Sequence, residues 1–196
     1  MSTNKRNSQL QTVSFNSPAD FRNWLAKNHA QSEGVWLRIY KKGASEPSIT
    51  YAEALDQALC YGWIDGRKET FDQDSWLQRF TPRRSGSGWS KINTRHAERL
   101  MKSGEMTPQG LQAIESAKRD GRWDAAYDSP ANASPPDDFL KELNKNQKAR
   151  AFFETLNKRN IYAIVYRLQT AKKPETRIRR IQQFVAMLAR NEKLHP

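Results

Sequence analysis

Apolar residues recur along this chain at two different periods, and the changes of period mark out its elements. Ser17-Pro18-Ala19-Asp20 has the form of a helix start, with a capping hydroxyl, a first-turn proline and an early acid. The helix that follows is expected to align Phe21, Trp24 and Leu25 on one face and to end before Gly34. From Val35 to Lys41 the period drops to two. Val35, Leu37 and Ile39 point one way and Trp36, Arg38 and Tyr40 the other, so this strand has an apolar face and an aromatic, cationic face. Thr50-Tyr51-Ala52-Glu53 is a capping box. Its helix should bury Ala54, Leu55, Ala58 and Leu59, run to about Tyr61 and stop at Gly62. Two strands are expected at Trp63–Phe71 and Trp76–Thr81, joined by the polar turn 72–75, and with the first strand they make a small antiparallel sheet.

Beyond the loop Pro82–Gly88 the pattern is helical throughout. One helix is expected from Trp89 to Ser103, stopped by Gly104. Another is capped by Thr107-Pro108, carries Leu111 and Ile114, and ends by Gly121. Residues 122–136, rich in Asp, Ser, Ala and Pro, read as a linker. Ser134-Pro135-Pro136-Asp137 opens a short helix with Phe139, Leu140 and Leu143. Two further stripes follow, Ala149/Phe152/Phe153/Leu156 and Ile161/Ile164/Val165/Leu168. Pro174 opens a last helix with Ile178, Ile181, Val185 and Leu188 inward. The expected organisation is a flexible leader over 1–13, an α+β domain over 14–121, the linker 122–136 and a helical module over 137–196. The fold class is α+β, mainly helical, with a small antiparallel sheet packed with helices.

Composition narrows the function classes. The 196 residues are polar, with a mean hydropathy of −0.91. Yet 6 Trp, 8 Phe and 6 Tyr supply aromatic mass that disordered chains lack. No apolar run approaches the length of a membrane span or a secretory signal, so the cytoplasm is the expected address. One cysteine, Cys60, excludes an internal disulfide framework. The net charge of +12 is concentrated late: residues 141–196 hold 14 Lys/Arg against 4 Asp/Glu. A basic face of this kind favours polyanions in general. It equally describes the solvated polar face of amphipathic helices, as around Arg177, Arg179 and Arg180. No recognition-helix turn or RNA-binding signature accompanies these arginines.

The chemistry-bearing residues crowd into 59–93, LCYGWIDGRKETFDQDSWLQRFTPRRSGSGWSKIN. Arginines beside aromatics on strands and loops suit a flat or anionic ligand. Arg79, Arg83 and Arg84 surround Phe80-Thr81-Pro82, ahead of Ser85-Gly86-Ser87-Gly88 and a helix start. Guanidinium forks and loop N–H groups together make an anion site; solvated arginines on a mobile loop are the equal alternative. The pattern is not a phosphate-binding P-loop. Asp65 follows a helix C-terminus, where the dipole disfavours an acid. It is therefore expected either to pair with Arg67, Arg79, Arg83 or Arg84, or to line a pocket as a general base. Trp89 and Asn93, four apart, would share a helix face. Trp89 is first a core residue, and Asn93 is the better polar contact for a ligand. Cys60 in its apolar turn is a small core hydrophobe whose thiol the helix C-terminus would hold up. His29, His96 and His195 have no metal-ligand spacing, so neither a metal nor a cofactor is expected.

Both halves together resemble the bacterial YdeI/OmpD-associated, or bacteriocin-protection, family. The matching pieces are Phe21–Leu25, Tyr40-Lys41-Lys42-Gly43, Ser48-Ile49-Thr50-Tyr51, Ala58–Gly66, Arg79–Arg84, Trp89–Asn93 and Met106–Gly110. In the C-terminal half they are Ala171–Arg177 and Arg179-Arg180-Ile181. The resemblance implies a part in tolerance of bacteriocins or antimicrobial peptides, and it brings no agreed reaction or cofactor.

These readings converge on a cytoplasmic stress-tolerance protein that binds an anionic ligand or partner in a cleft of Tyr40, Trp63, Asp65, Arg79, Arg83, Arg84, Trp89 and Asn93. One alternative is an enzyme of unknown reaction using Asp65 in that cleft. Another is a non-specific nucleic-acid binder acting through its basic C-terminal helices. Catalysis, partners and oligomeric state are otherwise open at this level.

Overall fold

The computed structural model describes residues 10–196. The chain divides into two compact units. The first comprises the chain through Ser87 together with Arg95–Asp120, and the second Gly88–Thr94 together with Gly121–Pro196. The leader expected over 1–13 lies outside the described residues up to position 9. Thr12–Val13, by contrast, forms a short strand, β1.

The first unit is built on β1, β2 (Val35–Tyr40), β3 (Trp63–Thr70) and β4 (Ser75–Pro82), in the order β1-β2-β4-β3. β2 and β3 flank β4 antiparallel, as expected, while β1 adds a parallel edge to β2, so the sheet is mixed. The β3–β4 turn is organised by Asp72, whose Oδ1 accepts from the N–H groups of Asp74 and Ser75 and from the Ser75 hydroxyl.

Register assigns every side chain to a face. Val35, Leu37 and Ile39 pair with Phe80, Gln78 and Trp76 on the inner face. Two helices cover that face, α1 (Pro18–Asn28) and α2 (Tyr51–Cys60). Their N-caps are the expected ones: Ser17 accepts from the Asp20 N–H, and Thr50 and Glu53 form the reciprocal capping box. Phe21 of α1 packs on Phe80 at 5.7 Å, and Trp24 meets Trp63 edge-on at 5.8 Å. Phe21, Trp63 and Phe80 are the largest side chains in a core that is otherwise aliphatic, and burying such rings contributes heavily to its energetics.

α2 ends at Gly62, which takes φ +70°, a left-handed turn that glycine adopts without a Cβ penalty. α4 (Pro108–Arg119) begins against this end. The Thr107 hydroxyl donates to the Cys60 carbonyl at 2.5 Å, satisfying one of the helix's terminal acceptors. Gly110 sits so close that a Cβ there would lie 2.3 Å from the same carbonyl oxygen. Leu111, expected inward, is exposed, and Ile114 and Ala117 carry the buried face instead. α3 (Lys91–Lys102) starts two residues later than expected. Its first-unit portion is tied to α2 by Asp56, which takes His96 at 2.8 Å and Arg99 at 2.5 Å.

The second unit holds α5 (Asp137–Leu143), α6 (Gln147–Glu154), α7 (Lys158–Gln169) and α8 (Pro174–Ala189). Their core is Phe139, Leu143, Ala149, Phe153, Ile164, Leu168, Ile181, Phe184 and Leu188. Ile178, expected inward, is 56 % exposed. Counting back one turn from Ile181 reaches Arg177 rather than Ile178. That guanidinium is held by both oxygens of Asp138 and by the Leu168 carbonyl. In the stretch expected as a linker, Trp123 packs at a tilt against buried Trp89 with ring centroids 4.9 Å apart, Tyr127 bridges Ser90, and Asp128 pairs with Lys91. Buried Asn160 exchanges two hydrogen bonds with the backbone of His195.

The Asp138–Arg177 pair makes stability depend on pH. The Arg177 guanidinium, above all, holds the Asp138 carboxyl below its ordinary range. A depressed acid contributes stability above its unfolded value, about 3.9, and loses it as pH falls through the lower folded value. Asp138→Asn should therefore lower the melting temperature at pH 7, with the gap to wild type closing below about pH 4. A gap that stays constant down to pH 2 would show that the pair has no such linkage.

Candidate anion site on the outer sheet face

The opposite face of the sheet carries Trp36, Arg38 and Tyr40 of β2, paired with Arg79, Leu77 and Ser75 of β4. Ile64, opposite Thr81, continues it on β3. Apart from Ser75, these side chains are only half-buried, whereas Leu37, Gln78 and Phe80 of the inner face are buried. At one end of this face lies a half-open cleft of about 590 Å3. Its floor is Ile64, Arg79 and Thr81. Leu10 and Glu33 form one side, and Gly66, Arg67, Pro82, Arg83, Arg84 and Ser87 the remainder.

Two backbone features place the arginines. A bulge interrupts the β3–β4 ladder between Asp65 and Lys68, a device that re-aims side chains. Gln78, buried on the inner face, donates through Nε2 to the Gly66 carbonyl at 2.9 Å and pins this bulge. Arg67 leaves the bulge beside Arg79, with Glu69 at 2.9 Å as its ion-pair partner. The exit loop is fixed by its own hydrogen bonds. The Arg83 N–H donates to the Gly62 carbonyl, the Arg84 N–H to the Ser87 hydroxyl, and the Ser87 N–H to the Arg84 carbonyl. These N–H groups are therefore committed within the loop, and anion binding falls to the guanidiniums. The Arg79 Nε is buried with no hydrogen-bond partner among the described residues. Native structures rarely leave such a donor unmet. The exposed Arg84 side chain likewise has no ion pair among the described residues.

Of the eight residues expected to form one cleft, Arg79, Arg83 and Arg84 come together. The other five lie elsewhere, each for a physical reason. Trp63 faces inward, 1 % exposed, and its indole N–H donates to the His29 carbonyl at 3.3 Å. Asp65 faces inward too, where it accepts from the Tyr51 hydroxyl at 2.9 Å; among the described residues it pairs with no arginine. It does not line the cleft. Tyr40 stands at the far end of the outer face, its hydroxyl donating to Glu46 and its ring against Arg38 at 4.5 Å. Trp89 precedes α3 and is buried in the second unit, so it does not share a helix face with Asn93. Asn93 is buried as well, its N–H donating to the Ser90 hydroxyl.

Arg177 and Arg180, expected on a basic partner surface, are engaged within the second unit. They donate to the Leu168 and Arg167 carbonyls at the C-terminal end of α7, where cations are favoured. Arg179 points to solvent. The Cys60 thiol is pushed up chiefly by burial, so it stays protonated and inert. Arg67, Leu10 and Ile64 were not expected in the site. The bulge that delivers Arg67 has its only sequence signal in Gly66.

Comparison with known families separates the two halves of the chain. Residues 13–113, just over half of it, match a family described as Domain of unknown function (DUF8412). Residues 132–191 match the family described as Bacteriocin-protection, YdeI or OmpD-Associated. The chain belongs to the first of these families, and its C-terminal part carries the match to the second. The cleft residues that fall within a matched segment lie in the domain of unknown function, and the YdeI/OmpD-associated module corresponds to the four-helix second unit. All seven N-terminal motifs that carried the resemblance fall inside the domain of unknown function rather than the YdeI/OmpD-associated match. No curated protein and no solved structure matches the chain. No described helix is long and apolar enough to cross a membrane.

Proposed function

We propose that the protein binds a small anion in the outer-face cleft, in the cytoplasm, and that this binding serves the bacteriocin or antimicrobial-peptide tolerance for which the family of its C-terminal module is described. The observation carrying this reading is the concentration of Arg67, Arg79, Arg83 and Arg84 around one recess, with the Arg79 Nε buried and unmet. A guanidinium fork offers paired donors that match carboxylate and phosphate oxygens.

A ligand that binds only the folded state raises the melting temperature by mass action. Phosphate, sulfate and citrate, screened at low and physiological salt, should give a shift that persists at the higher salt. Arg84→Ala removes an exposed side chain, so the unliganded protein should melt within about 0.5 kcal/mol of wild type. Its affinity should fall about tenfold or more, the effect of one charge-assisted hydrogen bond. Equal shifts in wild type and variant would refute the cleft as the binding site.

A further inference from the structure

We infer that the ligand of the cleft is an organic diphosphate: an anion with two or more negative charges and an apolar or planar substituent. This rests on the cleft being an anion site at all. Charge is the first argument. Four guanidiniums face two carboxylates, Glu33 and the Arg67 partner Glu69, leaving an excess of two positive charges around the recess. A single carboxylate would leave half of that excess uncompensated. Size is the second. The volume of about 590 Å3 is that of a site for a whole small molecule rather than a lone inorganic ion. The third is the wall. Leu10 and Ile64 bring apolar surface to a recess otherwise lined by cations and hydroxyls, which gives a substituent somewhere to lie.

The rest of the outer face argues against a polymer. Arg38 is already matched there, by Asp72 at 2.7 Å and by the Ser75 hydroxyl at 2.9 Å. Its guanidinium also lies against the rings of Tyr40 and Phe71, at 4.5 and 4.7 Å. Exposed carboxylates of Glu46, Asp72 and Asp74 complete that end. A nucleic-acid strand running the length of the sheet would meet no excess of positive charge there, because Arg38, Lys41 and Lys42 are matched in number by those three carboxylates. The cationic excess of the face stops where the cleft stops, as a compact anion requires.

Calorimetric titration of the full chain, at about 0.15 M salt, tests this with orthophosphate, citrate, pyrophosphate, ADP and a short single-stranded DNA. Pyrophosphate should bind about tenfold tighter than orthophosphate or citrate. ADP should bind several-fold tighter than pyrophosphate, by burying apolar surface. Leu10→Ser should erase the ADP advantage and leave pyrophosphate unchanged, whereas Arg84→Ala should weaken both. Orthophosphate or citrate matching pyrophosphate would overturn the diphosphate class while leaving an anion site. ADP binding no better than pyrophosphate would overturn the organic substituent. DNA outcompeting ADP would transfer the site to nucleic acid. No binding by any probe would instead refute the anion site itself.

Discussion

Gly110→Ala should destabilise the first unit by on the order of 3 kcal/mol, a fall of roughly 10 °C in melting temperature. Two effects oppose each other at this position. Alanine is the better helix former, which favours the variant by about 0.5–1 kcal/mol. Against that, the added Cβ would lie 2.3 Å from the Cys60 carbonyl oxygen and 2.4 Å from the Met106 Sδ. Met106 can swing away; the carbonyl cannot. It already accepts the Thr107 hydroxyl and N–H, so moving it breaks the contact that joins the end of α2 to the start of α4. Gly86→Ala is the control, because nothing lies within 4 Å of its built Cβ and no left-handed φ is involved. That variant should stay within about 0.5 kcal/mol of wild type. Denaturant melts of both variants decide the matter, and an unchanged Gly110→Ala would mean that the helices separate at little cost.

The second large effect is expected at Trp63. Truncation to Ala should cost about 3–5 kcal/mol, through lost ring burial and the cavity left behind. The ring is 1 % exposed, stands edge-on to Trp24 at 5.8 Å and donates to the His29 carbonyl. Trp63→Phe should recover part of that stability, since it restores an aromatic ring but not the indole N–H. In either variant that remains folded, anion affinity should stay within about twofold of wild type, because the side chain lies on the face of the sheet away from the arginines. Normal stability with lost affinity would return Trp63 to the binding site.

Local chemistry made much of this fold legible. Thr50 and Glu53 announced a helix start because both partners of the capping box lie within four residues, and Gly62 announced its end. Asp72 was recognisable as a turn residue for the same reason. Non-local choices were not readable. Thr12–Val13 is a strand only because β2 offers it an edge. Ile178 and Arg177 are neighbours whose roles are decided by where Asp138 lies. The arginine group stood out, but its surroundings depended on phase. One residue's shift along β3 exchanges Trp63 for Ile64 on the outer face, and the bulge then changes the alternation again before Lys68. No count of aromatic and cationic residues in 59–93 contains that information.

The seven residues Gly88–Thr94 give the second unit an ancestry problem. They lie inside the span matched by the domain of unknown function, yet Trp89 closes over Trp123 and Lys91 meets Asp128. A gene exchange that cut after residue 120 would carry the helical module away without its Trp89, leaving the face of Trp123 bare. The two matched segments are separate in sequence, but they cannot be traded as independent cassettes. Their histories should be coupled, with aromatic changes at 89 answered at 123.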